Sequence, residues 1–140
     1  MTDPNAAPQA RPFALPVRVY WEDTDAGGIV YHAAYLAFME RARSEWLRAA
    51  GIDQRRLRET EQVQFAVVDM QIEWKRPARF DDLLTVTASI AGKHRASFSF
   101  AQRVLRGAEL LVDATVRVAA LDSATLKPRR LPEELLNACP

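Results

Sequence analysis

Residues 32–51, HAAYLAFMERARSEWLRAAG, decide the fold. Leu36, Met39, Ala42, Trp46, Leu47 and Ala50 recur at spacings of three and four, and Glu40, Arg41, Arg43, Glu45 and Arg48 fall largely between them. Side chains so spaced share one face of a 3.6-residue turn, so the pattern predicts an amphipathic helix of roughly five turns from about His32 to Ala50. Gly51 stands where a left-handed residue ends a helix without steric cost, and Ile52 can fold back onto the last turn. Residues 53–62, DQRRLRETEQ, are charged and are expected as a short exposed helix or an irregular connection.

Upstream, Val17, Val19 and Trp21 alternate with Arg18 and Tyr20, a period of two that predicts a short strand with one buried face. Residues 22–28, EDTDAGG, then join acids to glycines, which let the backbone take positive φ and approach a ligand closely. Residues 1–13 are small, polar and proline-containing and read as a disordered lead-in, with order expected near Leu15 and one domain over residues 14–140.

Downstream of the helix the period changes to two. Phe65, Val67 and Val68 open an extended stretch through Met70, Ile72 and Trp74, ended by Pro77; residues 83–90, 96–104 and 110–118 alternate likewise. Gly92 and Gly107 fall between these runs and are expected at tight connections. Pro132 ahead of Glu133, Glu134, Leu135 and Leu136 predicts a last helical turn or two. The order is strand, long helix, then about four strands joined mainly as antiparallel hairpins. This is an α+β layout in which a sheet of about five strands can wrap one central helix.

Composition narrows the function. The 140 residues, 49% apolar, suit one domain with a real core. A net charge of +1 without a long run of either sign gives no electrostatic footprint for nucleic acid, which is not expected as a partner. No apolar run approaches the roughly 20 residues a membrane span needs, and the N-terminus lacks the pattern of a signal peptide, so a cytoplasmic location is expected. The single cysteine, Cys139, has no intrachain disulfide partner, and its place near the terminus argues against a nucleophile. An EF-hand loop starting at Asp23 would put Gly27 at its fifth position and Ala34 at its twelfth, where carboxylates are needed. A phosphatase-like Asp23-x-Asp25 is present, but strands follow the helix rather than the alternating units of a parallel sheet. Gly-x-Ser-x-Gly, Gly-Lys-Ser and Cys/His zinc patterns are missing from the sequence, so no metal or cofactor is implied.

The run from Tyr20 through Glu22, Asp23, Thr24, Asp25, Ala26, Gly27, Gly28, Ile29, Val30, Tyr31 and His32, continuing in Tyr35, Leu36, Glu40, Ala42 and Arg43, carries a resemblance. It resembles the signature of 4-hydroxybenzoyl-CoA thioesterase-like proteins. Within them it is most similar to the Tol-Pal-associated acyl-CoA thioesterases, whose loop also reads acid-Thr-Asp-Ala with Val-Tyr-His ahead of the helix. The likeness extends from about Val17 to the end. It implies a hot-dog fold, in homodimers or homotetramers whose sheets join edge to edge and whose sites lie where subunits meet. It further implies hydrolysis of an acyl-CoA to free acid and coenzyme A without a cofactor. Asp25 matches the catalytic aspartate, the amide of His32 the oxyanion donor, Tyr31 a substrate contact, and Lys93, His94 and Arg95 the basic residues that hold nucleotide phosphates.

The residues allow that chemistry. Thioester hydrolysis needs a group to attack or to activate water, and donors where negative charge develops on the carbonyl oxygen. A carboxylate at Asp25 serves as general base or nucleophile, and the unpaired amides at a helix start are donors. Each residue has another reading. Asp25 can be an ordinary turn residue, Asp23 a loop carboxylate that orders amides, and the His32 imidazole a substrate contact, a partner of Asp25 or a loop support. Glu40 and Arg43 read as a structural ion pair, and Lys93, His94 and Arg95 as a solvated turn. A non-catalytic module of the same fold that binds acyl-CoA or acyl carrier protein is the alternative function, and acyl-carrier-protein thioesters are an alternative substrate.

Overall fold

The computed structural model describes residues 13–138; the expected lead-in over residues 1–12 and Cys139 lie outside them. Strands β1 (Phe13–Arg18), β2 (Val63–Trp74), β3 (Leu83–Lys93), β4 (Ser97–Arg106) and β5 (Glu109–Asp122) form one sheet in the order β1-β3-β4-β5-β2. All four pairings are antiparallel. Helix α1 (Ala34–Ala49) lies across the sheet's inner face, chiefly over β1 and β3. A period of two puts Leu84, Val86, Phe98, Phe100, Val116 and Val118 on that face, and all are buried. Trp46 of α1 meets Phe100 edge-on at 5.4 Å, an aromatic contact worth about 0.5–1.5 kcal/mol beyond its area.

The helix end is as expected. Gly51 has φ +81, the Ile52 amide donates to the Leu47 carbonyl at 2.9 Å, and Ile52 is buried. The apolar stripe is rotated slightly from its expected position: Tyr35 and Phe38 are buried, whereas Leu36 is exposed. Residues 54–61 form a short helix α2 (Gln54–Arg56) widening into a π turn (Leu57–Glu61), with Leu57 buried beneath it. Gly107, φ +60, closes the β4–β5 hairpin, and Pro132 caps helix α3 (Glu133–Asn137).

Four expectations need correcting. Phe13, expected in the lead-in, belongs to β1, which pairs with β3 from Phe13 opposite Ala88. The first strand ends at Arg18. The Tyr20 amide donates to Asp23 Oδ2 at 2.8 Å and turns residues 21–23 into a 3-10 segment, so Trp21 is exposed and stacks on Phe80 with centroids 3.7 Å apart. Gly92 lies within β3 at a register shift, and residues 94–96 make the connection to β4. Finally, β2 and β3 are not a hairpin: β2 pairs with β5, and residues 75–82 cross to the other side of the sheet. That crossover leaves β1 and β2 as edges and brings residues 75–78 under the loop that precedes α1.

Candidate active site

Asp25 sits in a loop fixed on both sides. Bridges Thr24↔Val30 and Ile29↔Arg79 frame it, the Val30 amide donates to the Ala78 carbonyl at 2.9 Å, and the Tyr31 amide to the Asp23 carbonyl at 2.8 Å. Inside the loop the Gly28 amide donates to the Asp25 carbonyl at 3.0 Å, and Gly28 takes φ +81, a conformation glycine adopts without strain. Asp25 Oδ1 accepts the Gly27 amide at 2.8 Å. A Cβ on Gly27 would come within 3.1 Å of that same oxygen, so the glycine permits the carboxylate's position. Asp23 orders the Tyr20 amide, the structural role expected of it.

The turn after this loop holds His32. The Ala34 amide donates to the Tyr31 carbonyl at 2.8 Å and α1 begins at Ala34, two residues later than expected. Among the described residues no acceptor takes the His32 amide. Its carbonyl accepts the Trp74 indole N–H at 3.2 Å, and its imidazole packs 4.5 Å from the Tyr31 ring and edge-on to Trp74 at 5.8 Å. The imidazole is therefore held by aromatic neighbours rather than by Asp25.

Asp25 and His32 line one cleft of about 350 Å³ with Val30, Tyr35, Trp74 and Pro77. Tyr35 is buried there, and its hydroxyl accepts the Ala78 amide at 2.9 Å. Burial pushes that hydroxyl's pKa up, against the opposing pull of the Ala78 amide, so it remains a neutral phenol. The crossover forming the cleft's far wall is anchored at Asp82, which accepts the Arg79 amide at 2.8 Å and Arg106 Nη1 at 2.7 Å. Burial opposes ionisation of Asp82, but the Arg79 amide and the Arg106 guanidinium outweigh it and hold the carboxyl below its usual range. Trp74 and Tyr35 were not anticipated as parts of the site. Their sequence signal, an aromatic ending a strand and another near a helix start, equally fits ordinary packing.

The basic residues lie elsewhere. Lys93 ends β3, and its ammonium donates to the Leu136 carbonyl at 3.3 Å and the Ala138 carbonyl at 2.5 Å. His94 and Arg95 are exposed in the connection that follows. β3 starts at Leu83 opposite Arg18, on the side of the Asp25 loop, and Lys93 lies about 33 Å further along at about 3.3 Å per residue. Within one chain the two groups do not meet. Glu40 and Arg43 do not pair either: Glu40 accepts the Ser44 hydroxyl at 2.8 Å, while Arg43, buried, donates to Gln102 Oε1 at 3.0 Å. Among the described residues no three His, Cys, Asp or Glu side chains gather as a metal-ligand cluster.

Comparison with known proteins shows the family. Residues 19–139 match the sequence profile of the Thioesterase-like superfamily. The acyl-CoA thioesterase YbgC of Haemophilus influenzae is 46% identical over 126 residues, 90% of this chain and 93% of that protein. A probable thioesterase from Bartonella henselae superposes with a TM-score of 0.83 at 42% identity, covering 87% of this chain and 100% of that one. A 4-hydroxybenzoyl CoA thioesterase complexed with 4-hydroxybenzoyl CoA superposes with a TM-score of 0.85, covering 94% of this chain and 100% of that one; at 21% identity it shows a shared fold.

Proposed function

The chain belongs to the Thioesterase-like superfamily, and from that premise we propose that it is an acyl-CoA thioesterase, adding water across the thioester to release the free acid and coenzyme A. The observation that carries the reading is the pairing in one cleft of a carboxylate pinned through one oxygen with a backbone amide that lacks an acceptor. The thioester carbonyl oxygen takes the His32 amide, where negative charge develops as the carbonyl is attacked. Asp25 then either removes a proton from the attacking water and passes it to the leaving sulfur, or attacks the carbonyl itself, breaking the C–S bond to expel the coenzyme A thiolate and forming an anhydride that water opens to the free acid and the Asp25 carboxylate. Tyr31, exposed beside His32, contacts the acyl-pantetheine arm. Neither route needs a cofactor. The enzyme works in the cytoplasm; among the described residues no helix is long and apolar enough to cross a membrane. A screen of short, long and aromatic CoA esters, with the corresponding acyl-carrier-protein thioesters, tests the reading. Hydrolysis of at least one class is expected; tight binding of all without turnover would support the non-catalytic module instead.

The active form is a homodimer, or a dimer of dimers, joined through β2. Of the two sheet edges, β1 is short and carries Pro16, which has no N–H to offer, whereas β2 runs twelve residues with Val67, Val68 and Trp74 exposed. Light scattering at assay concentration is expected to show a dimer or tetramer; a fully active monomer would contradict this.

His94 and Arg95 are proposed to hold coenzyme A phosphates, with Lys93 supporting their connection through α3. Lys93→Ala with Arg95→Ala is expected to raise KM for acyl-CoA more than it lowers kcat, because anchoring phosphates binds ground and transition states alike. An unchanged KM would make these residues a solvated turn.

A further inference from the structure

A cleft of about 760 Å³ lies not at Asp25 but at the opposite end of β2. Arg55, Arg58, Gln54, Gln64 and Ser123 line it and supply guanidinium, amide and hydroxyl donors against one acid, Glu59. Val63 and Phe65 supply an apolar wall. Neighbouring Arg56 faces away and pairs with Glu134 at 3.0 Å, so the arginines of this segment divide between a structural contact and the cleft. Two guanidiniums beside an apolar wall suit phosphate groups carried on a larger ligand, since the fork of an arginine matches a phosphate.

Within one chain this cleft cannot serve Asp25. The ends of β2 are about 36 Å apart at about 3.3 Å per residue, further than an extended pantetheine arm reaches. Antiparallel pairing of β2 with its copy reverses that separation, because the start of one strand then lies beside the end of the other. The cleft of one subunit is brought next to the partner copy's Trp74 end, where the Asp25 cleft opens. We propose that Arg55 and Arg58 of one subunit bind the phosphates of a coenzyme A whose thioester lies at Asp25 of the other. This rests on the thioesterase reading and on the β2 dimer. It adds a phosphate site to His94 and Arg95, which stand at the same end of the sheet but further from the edge, since β4 and β5 separate β3 from β2.

The test compares an acyl-CoA with the same acyl group on N-acetylcysteamine, which keeps the thioester and lacks every phosphate. Arg55→Ala with Arg58→Ala is expected to raise KM for the acyl-CoA at least about tenfold, with kcat within about twofold and no change on the truncated thioester. Arg55→Lys with Arg58→Lys should recover part of the loss, because the charge survives and the planar fork does not. Mixing decides the placement: Asp25→Asn chains refolded with Arg55→Ala/Arg58→Ala chains form heterodimers in which one shared site is whole. Activity at low acyl-CoA should exceed that of either parent alone. An unchanged KM in the double variant, with both substrates hydrolysed, overturns the inference and leaves the thioesterase reading standing. No gain on mixing overturns the shared site, and a wild-type chain that hydrolyses neither substrate removes both.

Discussion

Asp25→Asn is expected to lower kcat by at least on the order of 10², roughly 2.7 kcal/mol of barrier, while acyl-CoA binding, fold and assembly persist. Asparagine keeps the side chain's shape and its carbonyl oxygen can still accept the Gly27 amide, so the loop should hold its geometry. What it loses is the ability to take a proton from water or to attack as a carboxylate. Asp23→Asn is the control. Asp23 also accepts a backbone amide, from Tyr20, but it does not line the cleft with His32 and Trp74. If Asp25 merely shaped the turn, the two substitutions would act alike and mildly. An Asp25→Asn enzyme retaining more than about a tenth of wild-type kcat would sink the assignment, since that loss amounts to only about 1.4 kcal/mol.

The loop and helix were legible because their signals are local. Helical spacing, the Gly51 stop and the acid-Thr-Asp-Ala-Gly-Gly run each depend on neighbours in sequence. The misreadings arose where a distant contact outweighed a local pattern. Trp21 continues an apolar alternation, yet the Asp23 carboxylate turns the chain first and Phe80, far along the sequence, receives the indole. Gly92 has the composition of a turn but sits in a strand beside a bulge, because β4 pairs on past it to Lys93. Pairing of β2 with β5 could not be read from spacing, since a strand's neighbour across the sheet leaves no mark in its own period. For the same reason Trp74 went unnoticed as a wall of the site, and Arg55 and Arg58 read simply as part of a charged connection. One buried residue could have been found. Gln102 follows Phe98 and Phe100 and precedes Val104 at steps of two, so the alternation alone places a polar side chain on the inner face.

That position carries the second large effect. Gln102 is fully buried and ties three elements together: its Oε1 accepts Arg43 Nη1 at 3.0 Å, and its Nε2 donates to the Met39 carbonyl at 3.0 Å and the Thr87 carbonyl at 3.3 Å. Arg43 is itself buried. Burial lowers its pKa while the nearby Glu40 raises it, and a guanidinium keeps its proton in either case. Gln102→Leu preserves volume but leaves that charge facing hydrocarbon, with two carbonyls short of a donor. Removing one partner of a buried charged contact costs about 3 kcal/mol, which in a chain of this size lowers Tm by roughly 10 °C. The double variant Arg43→Met/Gln102→Leu removes the charge as well, so it should recover most of the loss, because an apolar pair of similar volume has no desolvation to offset. Thermal unfolding at one fixed protomer concentration separates these cases, since assembly shifts apparent stability. A Gln102→Leu protein melting within about 2 °C of wild type, well under 1 kcal/mol, would mean that water or Glu40 satisfies the guanidinium without the glutamine.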